Sequence, residues 1–180
     1  MGSEQTIRTR VKFVYEFEGH GWAHASISNG TDTYAMEPSY LPDDPLFGLL
    51  QAVVEIVRNG GDNDTGCEWW YEPALDRWAL HREGDSLRIT IRHRGGDSFP
   101  NSSIFSSSRF WSSELGELRF TATCDLWKFA AKVRLAVSQL TPIGQDDPTW
   151  VQRTAEYRAL CDFLEEHKRI QSPPSSKPKR

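Results

Sequence analysis

Histidines flanked by carboxylates and guanidinium groups are the residues of this chain best suited to chemistry, and their spacing depends on strand register. Val11, Phe13, Tyr15 and Phe17 alternate with Lys12, Val14, Glu16 and Glu18, the period of a half-buried strand. Gly19-His20-Gly21 follows, and a three-residue hairpin loop favours a left-handed glycine at its end. That loop sets Phe17 against Ala23, Tyr15 against Ala25 and Phe13 against Ile27, large side chains facing small ones. On the other face it sets Glu18 against Trp22, Glu16 against His24 and Val14 against Ser26. Glu16 and His24, with Glu37 on a third strand, have the composition of a ligand, metal or acid-base site. The plain alternative is a solvated cross-strand pair worth roughly a few tenths of a kcal/mol. One histidine among carboxylates is a poor metal signature, so neither a metal nor a cofactor is expected.

A second set lies in residues 67–93, CEWWYEPALDRWALHREGDSLRITIRH. Strands are expected over 67–72, 77–83 and 86–93, with turns at 73–76 and at Gly84-Asp85. Those turns align Trp69 with Leu80 and Tyr71 with Trp78. They also align Leu80 with Ile89 and Trp78 with Ile91. The opposite face then carries Glu68, His81 and Arg88 in one row. Trp70, Ala79 and Thr90 form the next, and Glu72, Arg77 and Arg92 the third. The first row can orient an anion or be an ordinary salt-linked surface. Neighbouring Trp69 and Trp70 must point to opposite sides of a strand. If helices cover one sheet face, Trp70 is left on the other, and tryptophan beside arginine is the composition of a protein-binding hot spot. Cys124, at an expected helix start, has the position of an activated thiol, but a buried residue at a strand–helix junction explains it as well.

The elements that position these groups follow from pattern. Asp43 or Asp44 caps a helix that has Pro45 in its first turn, a stripe of Leu46, Leu49, Leu50, Val53, Val54 and Val57, and a stop at Asn59-Gly60-Gly61. Residues 62–66 read as a loose polar linker. Residues 94–113 are serine-rich yet hold Phe99, Ile104, Phe105, Phe110 and Trp111, which suits either a lid over a site or a disordered loop. A strand over 114–122 and two further helices complete the order β-β-β-α-β-β-β-loop-β-α-α. The expected class is α+β: an antiparallel meander sheet of about seven strands, with about three helices mainly on one face. Residues 7–170 are expected to form a single domain and residues 171–180 a disordered basic tail.

Composition narrows the function. The 180 residues carry a net charge of −4, which disfavours duplex nucleic acid as a partner. The three cysteines form no CxxC pair, which fits a reduced, cytoplasmic setting. The sequence has no long apolar run, so no membrane partner is expected. Glycine-rich phosphate loops, nucleophile elbows and HExxH are absent from it.

The pattern EFEGHGWAHASISNG, the capped helix, CEWW followed by DRWAL and LRITI, and ELRFTATCDLWKFAAKVRLAVSQL together resemble small bacterial domains. Among these are proteins similar to the immunity partners of polymorphic toxins. The likeness covers about residues 7–140 and rests on element order and tryptophan placement, so it transfers no site residue. It implies a non-enzymatic cytosolic domain that binds another protein. The strand register, separately, offers Trp70, Glu68, His81, Arg88 and Arg92 on the outer sheet face as the docking residues. Two other readings stand beside it. One is a small-molecule binder or enzyme with residues 94–113 closing over Glu16 and His24; the other is a domain that self-associates through an edge strand.

Overall fold

The computed structural model describes residues 8–40, 44–71, 73–95 and 116–172. The proposed lid and the basic tail fall largely outside these.

The first hairpin forms as the large-to-small pairing requires. Strand β1 (Lys12–Gly19) runs antiparallel to β2 (Trp22–Ser28) with Phe13 opposite Ile27, Tyr15 opposite Ala25 and Phe17 opposite Ala23. Gly19, His20 and Gly21 all take positive φ, at 82°, 55° and 83°. The strained non-glycine position, His20, is tied by its backbone N–H to Asp146 Oδ2 at 2.7 Å. A bulge after Phe17 makes Gly19, not Glu18, the partner of Trp22. Asn29 turns the chain into β3 (Thr33–Met36), its Oδ1 accepting from the N–H groups of Thr31 and Asp32.

Helix α1 (Pro45–Asn59) starts at Asp44, whose Oδ1 accepts from Phe47 N–H at 3.0 Å, and it ends at Gly60 with φ 60°. Its whole expected stripe is buried. Strands β4 (Asn63–Tyr71), β5 (Ala74–Glu83), β6 (Ser86–Arg94) and β7 (Glu117–Asp125) form a second, four-stranded meander. Helix α2 (Leu126–Ser138), capped by Asp125, a 3-10 turn (Pro148–Arg153) and helix α3 (Ala155–Gln171) follow. The class is α+β, with the seven strands divided between two antiparallel sheets.

Two expectations are corrected in β4. Residues 63–66 are strand, not linker. The β4–β5 register also differs: Trp69 faces Asp76, Cys67 faces Trp78 and Thr65 faces Leu80. The ladder runs on to pair Tyr71 with Ala74. A slip by an even number of residues preserves which side chains face inward, so the core is unchanged while every cross-strand partner is not. This register brings residues 63–66 into the ladder, with Asn63 opposite Arg82. Buried Arg82 then donates to Ile56 O, Val57 O and Gly84 O. Its charge thereby satisfies carbonyls at the negative end of α1. The β5–β6 register is as expected, with Trp78 opposite Ile91 and Leu80 opposite Ile89.

The inner faces of the two sheets share one apolar core with the helices. Phe13 meets Trp78 edge-on with centroids 6.1 Å apart and lies 6.4 Å from Trp69 and 6.2 Å from Phe129. Helix α1 packs on β4, α2 packs on β1 and β7, and α3 packs on α1 and α2. Backbone bonds tie the small sheet to both edges of the large one: Ser39 N–H to Trp70 O and Thr9 N–H to Thr123 O, each 2.7 Å. No helix among the described residues is long and apolar enough to cross a membrane.

Candidate protein-binding face

On the side of the four-stranded sheet away from the shared core, Asp64, Arg88 and Thr121 are exposed while Leu75 and Arg77 are buried. Three rows cross this face from β4 to β7, and another, at one end, crosses from β4 to β6. Trp70 faces Leu75, which faces Arg94. Glu68, Arg77, Arg92 and Leu118 make the second row. Gly66, Ala79, Thr90 and Thr121 make the third, and Asp64, His81, Arg88 and Thr123 the fourth. Strands sit about 4.8 Å apart and side chains on one face recur every ~6.8 Å along a strand. The small residues of the third row therefore form a shallow trough some ~14 Å long between two charged rows.

The register correction regroups the expected site. Glu68 lies opposite Arg77, not His81, and its Oε1 accepts from Arg77 Nη2 at 3.0 Å and Nε at 3.2 Å. The Arg77 side chain is 6% and that of Glu68 16% exposed, so this ion pair is largely withdrawn from water. His81 and Arg88 do face each other. His81 is held between Asp64 (Nδ1 to Oδ1, 2.6 Å) and Glu83 (Nε2 to Oε1, 3.0 Å). Arg92 donates to Gly116 O at 3.1 Å. Trp70 is half-buried and its row neighbour Leu75 is buried.

Glu16 and His24 are cross-strand partners, as expected, on the solvent face of the small sheet, where Val14 and Trp22 are 45% and 41% exposed. Cys124 is buried at the end of β7, and burial, with Asp125 adding to it, pushes its thiol up to about 12. It is a thiol at neutral pH and has none of the activation a nucleophile needs. Among the described residues no group of three or more His, Cys, Asp or Glu is placed to hold a metal ion.

The polar centre that the pattern did not single out is Asp76. It is fully buried between the sheets and accepts from three strands at once. Tyr34 OH reaches Oδ1 at 3.0 Å and Oδ2 at 2.9 Å, Tyr71 OH reaches Oδ2 at 2.5 Å, and His93 Nδ1 lies 2.8 Å from Oδ1. Both carboxylate oxygens are thus used in tying β3 of the small sheet to β4, β5 and β6 of the large one. Burial first, then the Asp76 charge, raises the Tyr34 and Tyr71 phenols above their ordinary range; burial does the same for Tyr15 and Tyr40.

The pH consequence has a definite sign. Below about pH 10 these phenols are protonated in both the folded and the unfolded chain. Above it the unfolded chain releases its phenolic protons while the folded chain retains them, so stability falls as pH rises. Urea midpoints are expected to drop steadily above about pH 10, and to drop less in Tyr34→Phe.

The sequence matches no protein-family description and no curated protein. The chain is similar in structure to a chain of the CdiA-CT/CdiI toxin and immunity complex from Enterobacter cloacae. The two share 16% identity over 73% of this chain and 97% of that one, with a TM-score of 0.45.

Proposed function

We propose that this is a protein-binding domain of immunity type, working in the cytoplasm, whose partner docks on the outer face of the four-stranded sheet. One observation carries the reading: that face gathers Trp70 with Arg88, Arg92 and Arg94 beside a row of small residues, Gly66, Ala79, Thr90 and Thr121. Half-buried tryptophan and arginine around a flat floor supply the rigid anchors and the charge register that interfaces use. Trp70 and the arginines make the contact, and His81, held by Asp64 and Glu83, borders it. The Glu68–Arg77 pair, largely buried, fixes the β4–β5 floor beneath it. All three cysteines are free, which supports a reducing compartment.

The sequence resemblance makes a toxin the first partner to offer, in practice the protein encoded beside this one. Calorimetric titration with that protein is expected to show Trp70→Ala weakening binding about 30-fold or more, the loss typical of a central aromatic anchor. Trp22→Ala, on the other sheet, leaves affinity unchanged. Equal affinities for Trp70→Ala and the parent chain would remove this face from the proposal.

A further inference from the structure

Between the segment ahead of β1 and helix α2 runs a groove of about 850 Å³ that the reading above does not use. Its charge runs against that of the whole chain. The molecule has 25 acidic and 21 basic residues. Among the described residues the groove is lined by Arg8, Arg10, Lys128, Lys132 and Arg134, with Asp125 the one acid. Asp125 is committed to α2, its Oδ1 accepting from Lys128 N–H at 2.9 Å. Arg134 is shared with α3, where it lies near Tyr157 and Glu165. Arg8, Arg10, Lys128 and Lys132 form no ion pair with a described residue.

The layout is regular as well as basic. Lys128, Lys132 and Leu135 recur at the spacing of one helix stripe, and Leu135 is 48% exposed. Across the groove the 8–11 segment is fixed, because Thr9 donates both N–H and Oγ1 to Thr123 O on the edge of β7. The cations are therefore held on two walls that cannot separate freely. We infer that this groove binds a carboxylate-rich segment of a protein partner, with an apolar side chain of that segment resting on Leu135. Single-stranded nucleic acid suits it less well. Such sites stack bases on open aromatic rings, and Phe129 in the groove lining is only 1% exposed.

The test uses the full chain and two fluorescent probes: a 12-residue peptide alternating Glu and Asp around a central leucine, and a 12-nucleotide oligouridine. Anisotropy should show saturable binding of the peptide that weakens as salt rises from ~50 to ~200 mM. The double reversal Arg10→Glu/Lys132→Glu should weaken it about tenfold or more. Arg10→Lys/Lys132→Arg and Trp70→Ala should both bind as the parent does. Unchanged circular dichroism and urea midpoint certify the reversal variant; if it is unfolded, Lys128→Glu alone takes its place. The inference is overturned if the peptide does not saturate at ~50 mM salt, if charge reversal leaves its binding intact, or if the oligonucleotide binds more tightly through the same residues. Because Trp70→Ala reports on the sheet face alone, failure here and failure of the docking face are separate results.

Discussion

Asp76→Ala is expected to destabilise the protein by about 4 kcal/mol, because it removes the acceptor of a buried charge-assisted cluster and leaves its donors behind. Tyr34 OH, Tyr71 OH and His93 Nδ1 all converge on that carboxylate, which is fully buried. Asp76→Asn keeps the shape and one acceptor but turns an amide NH₂ toward a phenol that also donates, so about half the loss is expected. The cluster interpretation has a sharper consequence. Tyr34→Phe alone should cost about 1–2 kcal/mol, and nearly nothing once Asp76 is already alanine. Chemical denaturation of the four chains gives the cycle. An additive result, or a loss under about 1 kcal/mol for Asp76→Ala, would show that the Asp76 cluster does not act as a unit in joining the sheets.

Trp78→Ala is the second large effect, about 4 kcal/mol, the usual range for emptying an aromatic site in a core. Trp78 has no exposed surface and lies 4.7 Å from Trp69 and 6.1 Å from Phe13 between ring centroids. It is where the two sheets meet. Trp78→Phe should be much milder, about 1 kcal/mol, for two opposing reasons. It loses volume, but it also removes an indole N–H that is buried with no hydrogen-bond partner among the described residues. Urea midpoints of the two variants measure how the loss grows with the volume removed; equal losses would contradict a core in which the size of the cavity sets the cost.

How much of this was legible in the sequence depends on how far apart the deciding residues lie. The β1–β2 register was legible because one short loop and the size of facing side chains decide it together. Helix α1 was legible because Asp44, Pro45 and Gly60 punctuate a clean stripe. The β4–β5 register was not, since Thr65, Cys67, Trp69 and Tyr71 present an inward alternation that fits Trp78 and Leu80 in either alignment. What separates the alignments is the seating of Arg82 on α1 and of Asp76 on Tyr34, both contacts between distant segments. Asp76 itself reads as a turn former after Pro73. A signal for it did exist: the register that sets Leu80 against Ile89, extended along β5, sets Asp76 against His93. Net charge hid the basic groove, because its two walls come from segments far apart in the chain, residues 8–11 and 124–135.

The docking face is the central claim, and footprinting tests it without any substitution. The chain is exposed to hydroxyl radicals alone and saturated with the protein encoded beside it, and oxidation of Trp70 and Trp22 is compared by mass spectrometry. The account predicts that the partner lowers oxidation of Trp70 several-fold and leaves that of Trp22, 41% exposed on the small sheet, as it was. Protection of Trp22 with Trp70 unchanged would place the partner on the small sheet and contradict it.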